Sequence, residues 1–236
     1  MTTTYSAKEF NYDTELYVNY YTWLADHNQI PKYYKTYLGH VLDHKKMVYL
    51  AWLYVGDTLH ELGFINENDM SDIYDLIINH DNSKLEREEF VPYAKRFNGP
   101  RQKNQVIKTN FKAAVKLHKE RNIHHYEALK SYSGRKWKHY AIELICDYIA
   151  MGWEFDNYIC EYFQKVKDEL KNELPEEYYN YIENIINIIP EKLYLAEEPL
   201  SENNIGFILY LYNYYNDPFE VYAEDDEKIY IKKLDF

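Results

Sequence analysis

Cysteine is scarce in this chain of 236 residues, which contains only Cys146 and Cys160. Two cysteines are too few for a disulfide framework, so we expect a fold that does not depend on oxidation and a reducing, cytoplasmic compartment. Glycine and proline are also scarce, with seven of each. Because these two residues mark most tight turns, their scarcity predicts a compact, helix-rich chain.

Long apolar runs and excess positive charge are absent as well. No stretch approaches the roughly 20 uninterrupted apolar residues of a membrane span. The N-terminal segment MTTTYSAKEFNYDTEL has no basic stretch followed by an apolar run, so we predict neither a signal peptide nor a membrane partner. The formal net charge of -12 argues against a nucleic-acid polymer as partner. A small anionic substrate stays compatible, because bound divalent cations reverse the local sign of charge.

What the chain does contain is helical periodicity. Apolar residues recur at three-and-four spacing, with helix-start and helix-stop residues at the ends of these stretches. We predict helices over residues 31–62, 69–80, 85–97 (broken or kinked at Pro92), 105–121 and 139–152, then two acidic amphipathic helices split at Pro175, and an apolar helix over 203–215. The last residues, KIYIKKLDF, alternate like a short strand.

These patterns predict an all-α fold. We expect a metal-binding helical bundle over residues 1–156 and an acidic helical C-terminal region over residues 157–236, packed on the bundle. The acidic region is most simply a solvated face, and a lid or the surface of a homodimer are the alternatives left open.

Histidines and a carboxylate fall on the inward faces of several predicted helices. Asp147 lies in the most apolar of them, where a buried charge is costly unless something positive pairs with it. The side chains that converge in this way are His44, His80 with Asp81, His118, His124, His125 and Asp147. Imidazole and carboxylate ligands suit Mn, Fe, Ni, Co or Zn, and the lack of cysteine ligands argues against a structural zinc site.

Other histidines have plainer interpretations. His40 shares a helix with His44 at four-residue spacing but has no buried neighbours in the pattern, so it is a weaker ligand candidate. His27, His60 and His139 are expected to be surface or packing residues. Glu127 and Glu143 are expected to lie behind the ligands or on the surface.

The order of these residues resembles that of the HD-domain metal-dependent phosphohydrolases, whose signature is a His, a His-Asp pair and a later Asp. His44, His80 with Asp81, and Asp147 match it in order. The segment HDNSK is similar to the His-Asp-x-x-Lys of the HD-GYP-like branch, and HKERNIHHYE to its single His followed by His-His-x-Glu. The chain also looks like a family of uncharacterised bacterial and phage proteins with the same elements. The Gly-Tyr-Pro that names the branch is missing, so specificity for cyclic-di-GMP is not implied.

The resemblance covers roughly residues 35–155 and implies an HD-like helical bundle with one or two divalent metal ions. The implied ligands are His44, His80, Asp81 and Asp147, with His118, His124 and His125 completing a second position. Lys84 would contact the substrate phosphate, together with Arg101, Lys103 or Arg121.

The implied activity is that of a phosphodiesterase or phosphomonoesterase acting on a nucleotide or a cyclic-nucleotide-like molecule, in a bacterial or phage-infected cytoplasm. Two alternatives come from other classes of function. Related helical metal sites support diiron oxygenation, and the domain could instead bind a nucleotide without cleaving it, as a sponge or sensor.

Overall fold

The computed structural model describes residues 33–155, 159–189, 219–225 and 228–233. Between residues 33 and 189, every regular element described is a helix, which confirms the all-α prediction. The α-helices are α1 (Tyr33–Glu61), α2 (Glu67–Ile78), α3 (Arg87–Phe97), α4 (Gln105–Arg121), α5 (Tyr126–Leu129), α6 (Trp137–Glu154), α7 (Ile159–Glu173) and α8 (Glu176–Ile188), and a 3-10 helix spans Asn82–Leu85.

Local sequence explains where several helices begin and end. Gly63, with a φ of 75°, follows the end of α1, as the sequence predicts. The predicted start of α2 at Asp69 or Ser71 is wrong by a few residues. Asn66 caps this helix and Asp69 completes a capping box at its third position. Of the predicted break or kink at Pro92, the break is wrong, since α3 continues through this residue.

The core of the helical unit forms around α6, which packs against α2, α7 and α8. This helix is buried over most of its length, from Trp137 to Gly152. It extends to Glu154, two residues past the predicted end at Gly152. Because α7 and α8 contribute Phe163 and Ile182 to the same core, the acidic helices belong to the unit Thr36–Leu195. The predicted boundary after residue 156 stays a prediction.

A separate unit contains a two-stranded antiparallel hairpin, β1 (Phe219–Asp225) paired with β2 (Lys228–Lys233). The strand predicted in KIYIKKLDF is therefore confirmed, whereas β1 is not part of that prediction. The predicted helix over residues 203–215 lies outside the described residues. None of the described helices is long and apolar enough to cross a membrane.

Candidate metal centre

A turn after α2 places two of the predicted ligands at the centre of the helical unit. Asp81 has a φ of 58° and a ψ of 17°, which is the left-handed region, and it is the only non-glycine residue of the described chain with a positive φ. Such a conformation is unfavourable for a residue with a Cβ atom and persists only where the surroundings impose it. Both His80 and Asp81 are buried.

On one side of this turn lie His44, His80 and Asp147, which we call the outer group. The Nε2 atom of His44 lies 3.2 Å from Oδ1 of Asp147 and 3.5 Å from Oδ2 of Asp81. The Nε2 atom of His80 lies 3.5 Å from the same Asp81 oxygen and 3.8 Å from Asp147. One carboxylate oxygen of Asp81 therefore faces the outer group.

On the other side lie His118, His124 and His125, which we call the inner group. The second oxygen of Asp81, Oδ1, lies 3.1 Å from Nε2 of His118 and 3.6 Å from Nε2 of His124. The ring of His125 packs against both, with centroids 4.7 Å from His118 and 4.3 Å from His124. Asp81 thus stands between two groups of ligand-type atoms, with one oxygen toward each.

Glu143 orients one histidine of each group. Its Oε1 atom lies 3.0 Å from Nδ1 of His80 and 3.0 Å from Nδ1 of His124. A carboxylate in this position accepts a hydrogen bond from the Nδ1–H group. The lone pair of Nε2 then points toward Asp81, between the two groups. Because one oxygen serves both rings, the tautomers of the two histidines depend on the same carboxylate.

Glu89 has the same role for the inner group. It is fully buried, and its Oε2 atom lies 2.9 Å from Nδ1 of His118 and accepts a hydrogen bond of 2.9 Å from the Ser83 hydroxyl. Its other oxygen lies 3.3 Å from Arg121. The inner nitrogen Nε2 of His118 is again the one directed at Asp81.

Several of the converging atoms are buried but form no hydrogen bonds of their own. Buried polar atoms are nearly always hydrogen-bonded in folded proteins, so such a cluster is typical of a site that holds an ion or ordered water. The atoms concerned include Oδ1 of Asp81 and Nε2 of His80, His118, His124 and His125. Within the described residues, both groups satisfy the spacing of a metal site, with ligand atoms within 4.8 Å of one another. Nitrogen and oxygen donors of this kind fit a divalent transition metal.

The carboxylates of the site stay ionised. Burial raises the pKa of Asp81, but His80, Lys84 and His118 outweigh it and hold that pKa well below its usual value. Burial acts in the same direction on Asp147, and its pKa is also lowered, chiefly by His44 and His80. Both side chains are therefore acceptors at neutral pH, as ligands to a cation must be.

The histidines of the two groups hold protons differently. Burial lowers the pKa of His44, yet Asp147 and Glu154 raise it to about 9. Burial and the neighbouring His124 and His118 lower the pKa of His125 to about 2. Without a cation, His44 is protonated at neutral pH and His125 is neutral.

Lys84 lies beside the buried carboxylate of Asp81. It follows Asp81 by three residues in the 3-10 helix, and its Nζ atom is 2.5 Å from Oδ2 of Asp81 and 5.9 Å from the centre of the Tyr93 ring. The lysine side chain is 21% exposed, whereas that of Asp81 is 1% exposed. Lys84 thus contacts the buried carboxylate of Asp81 and is itself partly exposed to solvent.

The predicted arginines are not part of either group. Arg101 is exposed in the turn between α3 and α4, as is Lys103. Arg121 is bound to two carboxylates, Glu86 and Glu89, and so supports the residues behind His118. The contact of Arg121 with substrate stays a prediction.

The remaining histidines lie away from the two groups. His40 is exposed on α1. His60 pairs with Glu67 at 3.4 Å, and the buried His139 with Asp69 at 2.9 Å. His27 lies outside the described residues.

Lys45 and Glu89 are two contributors that the sequence reasoning missed. Lys45 is buried, and its Nζ atom donates to the turn that contains Asp81. Burial lowers its pKa to about 7. A signal existed for Lys45, because it lies four residues after Val41 and three before Val48, on the buried stripe of α1. Glu89 stands in the charged segment EREEF, where nothing marks it as buried.

Residues 33–188 match the family described as a family of unknown function (DUF5662), so the chain belongs to that family. The matched span runs from the start of α1 to the end of α8 and contains every residue of the outer and inner groups. No curated protein matches the chain, and no solved structure does.

Proposed function

We propose that this member of the DUF5662 family is a metal-dependent phosphohydrolase that cleaves a small phosphate ester, with nucleotides and cyclic nucleotides as the first class of substrates. One observation carries the proposal. The two oxygens of Asp81 face two separate groups of ligand-type atoms, and Lys84 reaches the same carboxylate from the solvent side.

The chain offers two positions for a divalent ion of the Mn, Fe, Ni, Co or Zn class. His44, His80 and Asp147 would hold one ion and His118, His124 and His125 the other, with Asp81 shared. Ions bound there would lower the pKa of a coordinated water and polarise a phosphoryl oxygen. Carboxylates behind His80, His118 and His124 face Nδ1 and leave Nε2 to a metal ion, whereas His44 would have to release a proton on metal binding.

Exposure indicates the side from which substrate approaches. In the outer group the side chains of His44 and Asp147 are 9% and 11% exposed and that of His80 is 0% exposed, while in the inner group His118 and His124 are 4% and 2% exposed and His125 is half-buried. Lys84, at 21%, contacts Oδ2 of Asp81, the oxygen that faces the outer group. A phosphate group would therefore meet Lys84 and the outer group first.

Lys84 supplies positive charge where the reaction needs it. Its ammonium group can donate to a phosphate oxygen while Asp81 holds it in place, and charge builds on that oxygen in the transition state. A lysine at this position suits phosphate-ester chemistry, in which negative charge builds on the phosphoryl oxygens. The local cation also offsets the overall net charge of -12 for an anionic substrate.

The test combines elemental analysis of the purified protein with turnover assays. We expect about one to two equivalents of a divalent transition metal, the upper figure corresponding to a two-metal site. We also expect hydrolysis of p-nitrophenyl phosphate or bis-p-nitrophenyl phosphate, and of at least one member of a nucleotide panel. Chelator-treated protein is the control and should be inactive until metal is restored.

Two results would overturn the phosphohydrolase proposal. Bound iron with oxygen uptake and no ester hydrolysis would indicate an HD-type diiron oxygenase. Tight nucleotide binding without turnover in the metal-loaded protein would indicate a sponge or sensor.

A further inference from the structure

Lys45 is the only buried lysine among the described residues, and its ammonium group has an unusual set of partners. Its Nζ atom donates to the backbone carbonyl of Ile78 at 2.9 Å, to that of His80 at 2.5 Å and to Oδ1 of Asn82 at 2.7 Å. An ammonium group has three donors, and all three are used. The acceptors lie on both sides of Asp81 in the chain.

The segment bound by Lys45 is the one that most needs support. Asp81 is in the left-handed region, and the backbone around it turns sharply from α2 into the 3-10 helix. The backbone bonds that close this turn run from Asn82 to Asn79 at 3.2 Å and from Lys84 to Asp81 at 2.9 Å. Lys45 adds contacts from outside the turn, at the carbonyl immediately before Asp81 and the side chain immediately after it.

Lys45 also joins two elements that must meet at the site. It follows His44 directly on α1, so a single turn of this helix provides both an outer-group ligand atom and the donor that binds the turn. The 3.5 Å distance between Nε2 of His44 and Oδ2 of Asp81 spans these two elements. A shift of the turn relative to α1 would change this distance.

We propose that Lys45 is a positioning residue that holds the His80–Asp81 turn so that the two carboxylate oxygens of Asp81 face the outer and inner groups. Its contacts are with backbone carbonyls and Asn82, and so it acts through Asp81 without being a ligand. This inference rests on the metal-binding part of the proposed function and is independent of which reaction follows.

The test compares Lys45→Met with a milder and a remote variant. Methionine keeps a long unbranched side chain and removes every donor, whereas Asn82→Ala removes one of the three acceptors. His139→Phe, which deletes the partly buried pair with Asp69, is the control for a loss of stability elsewhere. Hydrogen exchange of the metal-free protein is measured for residues 79–85 and for α6, and Mn²⁺ affinity is measured by calorimetry.

We expect Lys45→Met to speed exchange over residues 79–85 while α6 exchanges at the wild-type rate. Mn²⁺ affinity should fall by about 10–100-fold, the usual effect of losing a group that orients metal ligands. Asn82→Ala should change both quantities in the same direction by less, and His139→Phe should leave both unchanged.

Wild-type exchange over residues 79–85 in Lys45→Met would overturn the inference. If Lys45→Met does not fold, the Asn82→Ala variant provides the test. Wild-type exchange over residues 79–85 in Asn82→Ala would then overturn the inference. A loss of Mn²⁺ affinity equal to that of His139→Phe would make Lys45 a general stabilising residue. A wild-type protein without metal affinity would contradict the proposed function, while the exchange data would still decide whether Lys45 holds the turn.

Discussion

The outer and inner groups both face Asp81 but differ in what lies behind their histidines. In the inner group, the outward nitrogens of His118 and His124 face the buried carboxylates Glu89 and Glu143. In the outer group, His44 faces Glu154, whose side chain is 41% exposed, at 3.5 Å. Of the two outer-group histidines, only His80 has a buried carboxylate behind it, and this is Glu143, which also contacts His124 of the inner group.

The difference indicates two degrees of preorganisation within one site. Buried carboxylates fix the inner histidines in one orientation before any ligand arrives, since their partners cannot turn toward water. The outer group has an end that is open to solvent and a histidine that is protonated at neutral pH. We therefore expect the inner group to bind metal with less reorganisation and the outer group to exchange metal and meet substrate.

The largest effect is expected from the residue that both groups share. Asp81→Asn should reduce bound metal to background at both positions, because the amide lacks the charge that offsets two cations. Asparagine tolerates the left-handed region, so the helical fold should survive. Elemental analysis and circular dichroism measure the two effects.

Asp75→Asn, an exposed change on α2, is the matched control for Asp81→Asn. Full metal content in Asp81→Asn would contradict the assignment of Asp81 as the shared ligand.

The next largest effect is expected from Lys84 and distinguishes a role in turnover from a role in metal binding. Lys84→Ala should lower kcat/KM by roughly 10²–10³-fold, the usual size for losing one preorganised group that stabilises transition-state charge. Metal content should stay unchanged, because Lys84 contacts Asp81 without being a ligand. Both quantities are measured on one preparation.

Lys116→Ala is the control for Lys84→Ala, since that side chain is 77% exposed on α4. Wild-type kinetics in Lys84→Ala would contradict a contact between Lys84 and the substrate phosphate. Lys84 would then be an ordinary residue at the start of a helix.

A smaller effect tests whether one carboxylate serves both groups. Glu143→Gln should weaken metal binding at both positions by about 10–100-fold, as expected when an orienting partner of a histidine ligand is lost. Glu89→Gln should weaken only the inner position, because Glu89 contacts His118 alone among the ligands. Two-step metal titrations distinguish these outcomes, and an effect of Glu143→Gln on a single step would mean that the groups are independent.

The smallest effect concerns the open end of the outer group. The raised pKa of His44, about 9, means that its proton stabilises the metal-free fold below pH 6.5 and that this contribution disappears as the pH rises through 9. Glu154→Gln should lower this pKa while Asp147 keeps it above 6.5. The midpoint is read from an NMR titration of the histidine side chains, with His44→Gln for assignment. A midpoint equal to that of the wild type would show that Glu154 does not act on His44.

Much of the fold follows from periodicity alone. The prediction for α4, residues 105–121, agrees with the structure at both ends, because Asn104 caps the helix and the apolar pattern stops with it. The ends of α2 and α6 differ by about two residues, since caps and last turns depend on contacts that a pattern does not contain. His44 and His118 are predicted to point inward because they lie on apolar stripes, and Asp147 because it lies in the most apolar helix, whereas His124 and His125 follow from the resemblance to the HD-domain family.

The supporting contacts were not predictable in the same way. Glu143 meets His80 across 63 positions of the chain, and Lys45 meets the His80 carbonyl across 35. Periodicity tells which face of a helix is buried but not which distant residue it meets there. The left-handed conformation of Asp81 is likewise not predictable from the local sequence, since aspartate tolerates this region but adopts it only at a minority of its positions.

The separation of the ligands along the chain has a consequence for stability. The donors of the two groups come from α1, the turn after α2, α4, the segment before α5, and α6, from His44 to Asp147. A bound cation would act as a non-covalent cross-link among these elements, in a chain with too few cysteines for a network of disulfide bonds. At 100 times its dissociation constant, a metal ion that binds only the folded state adds about 2.7 kcal/mol to the free energy of unfolding. A chelator would then loosen this fold much as a reductant loosens a disulfide-bonded one.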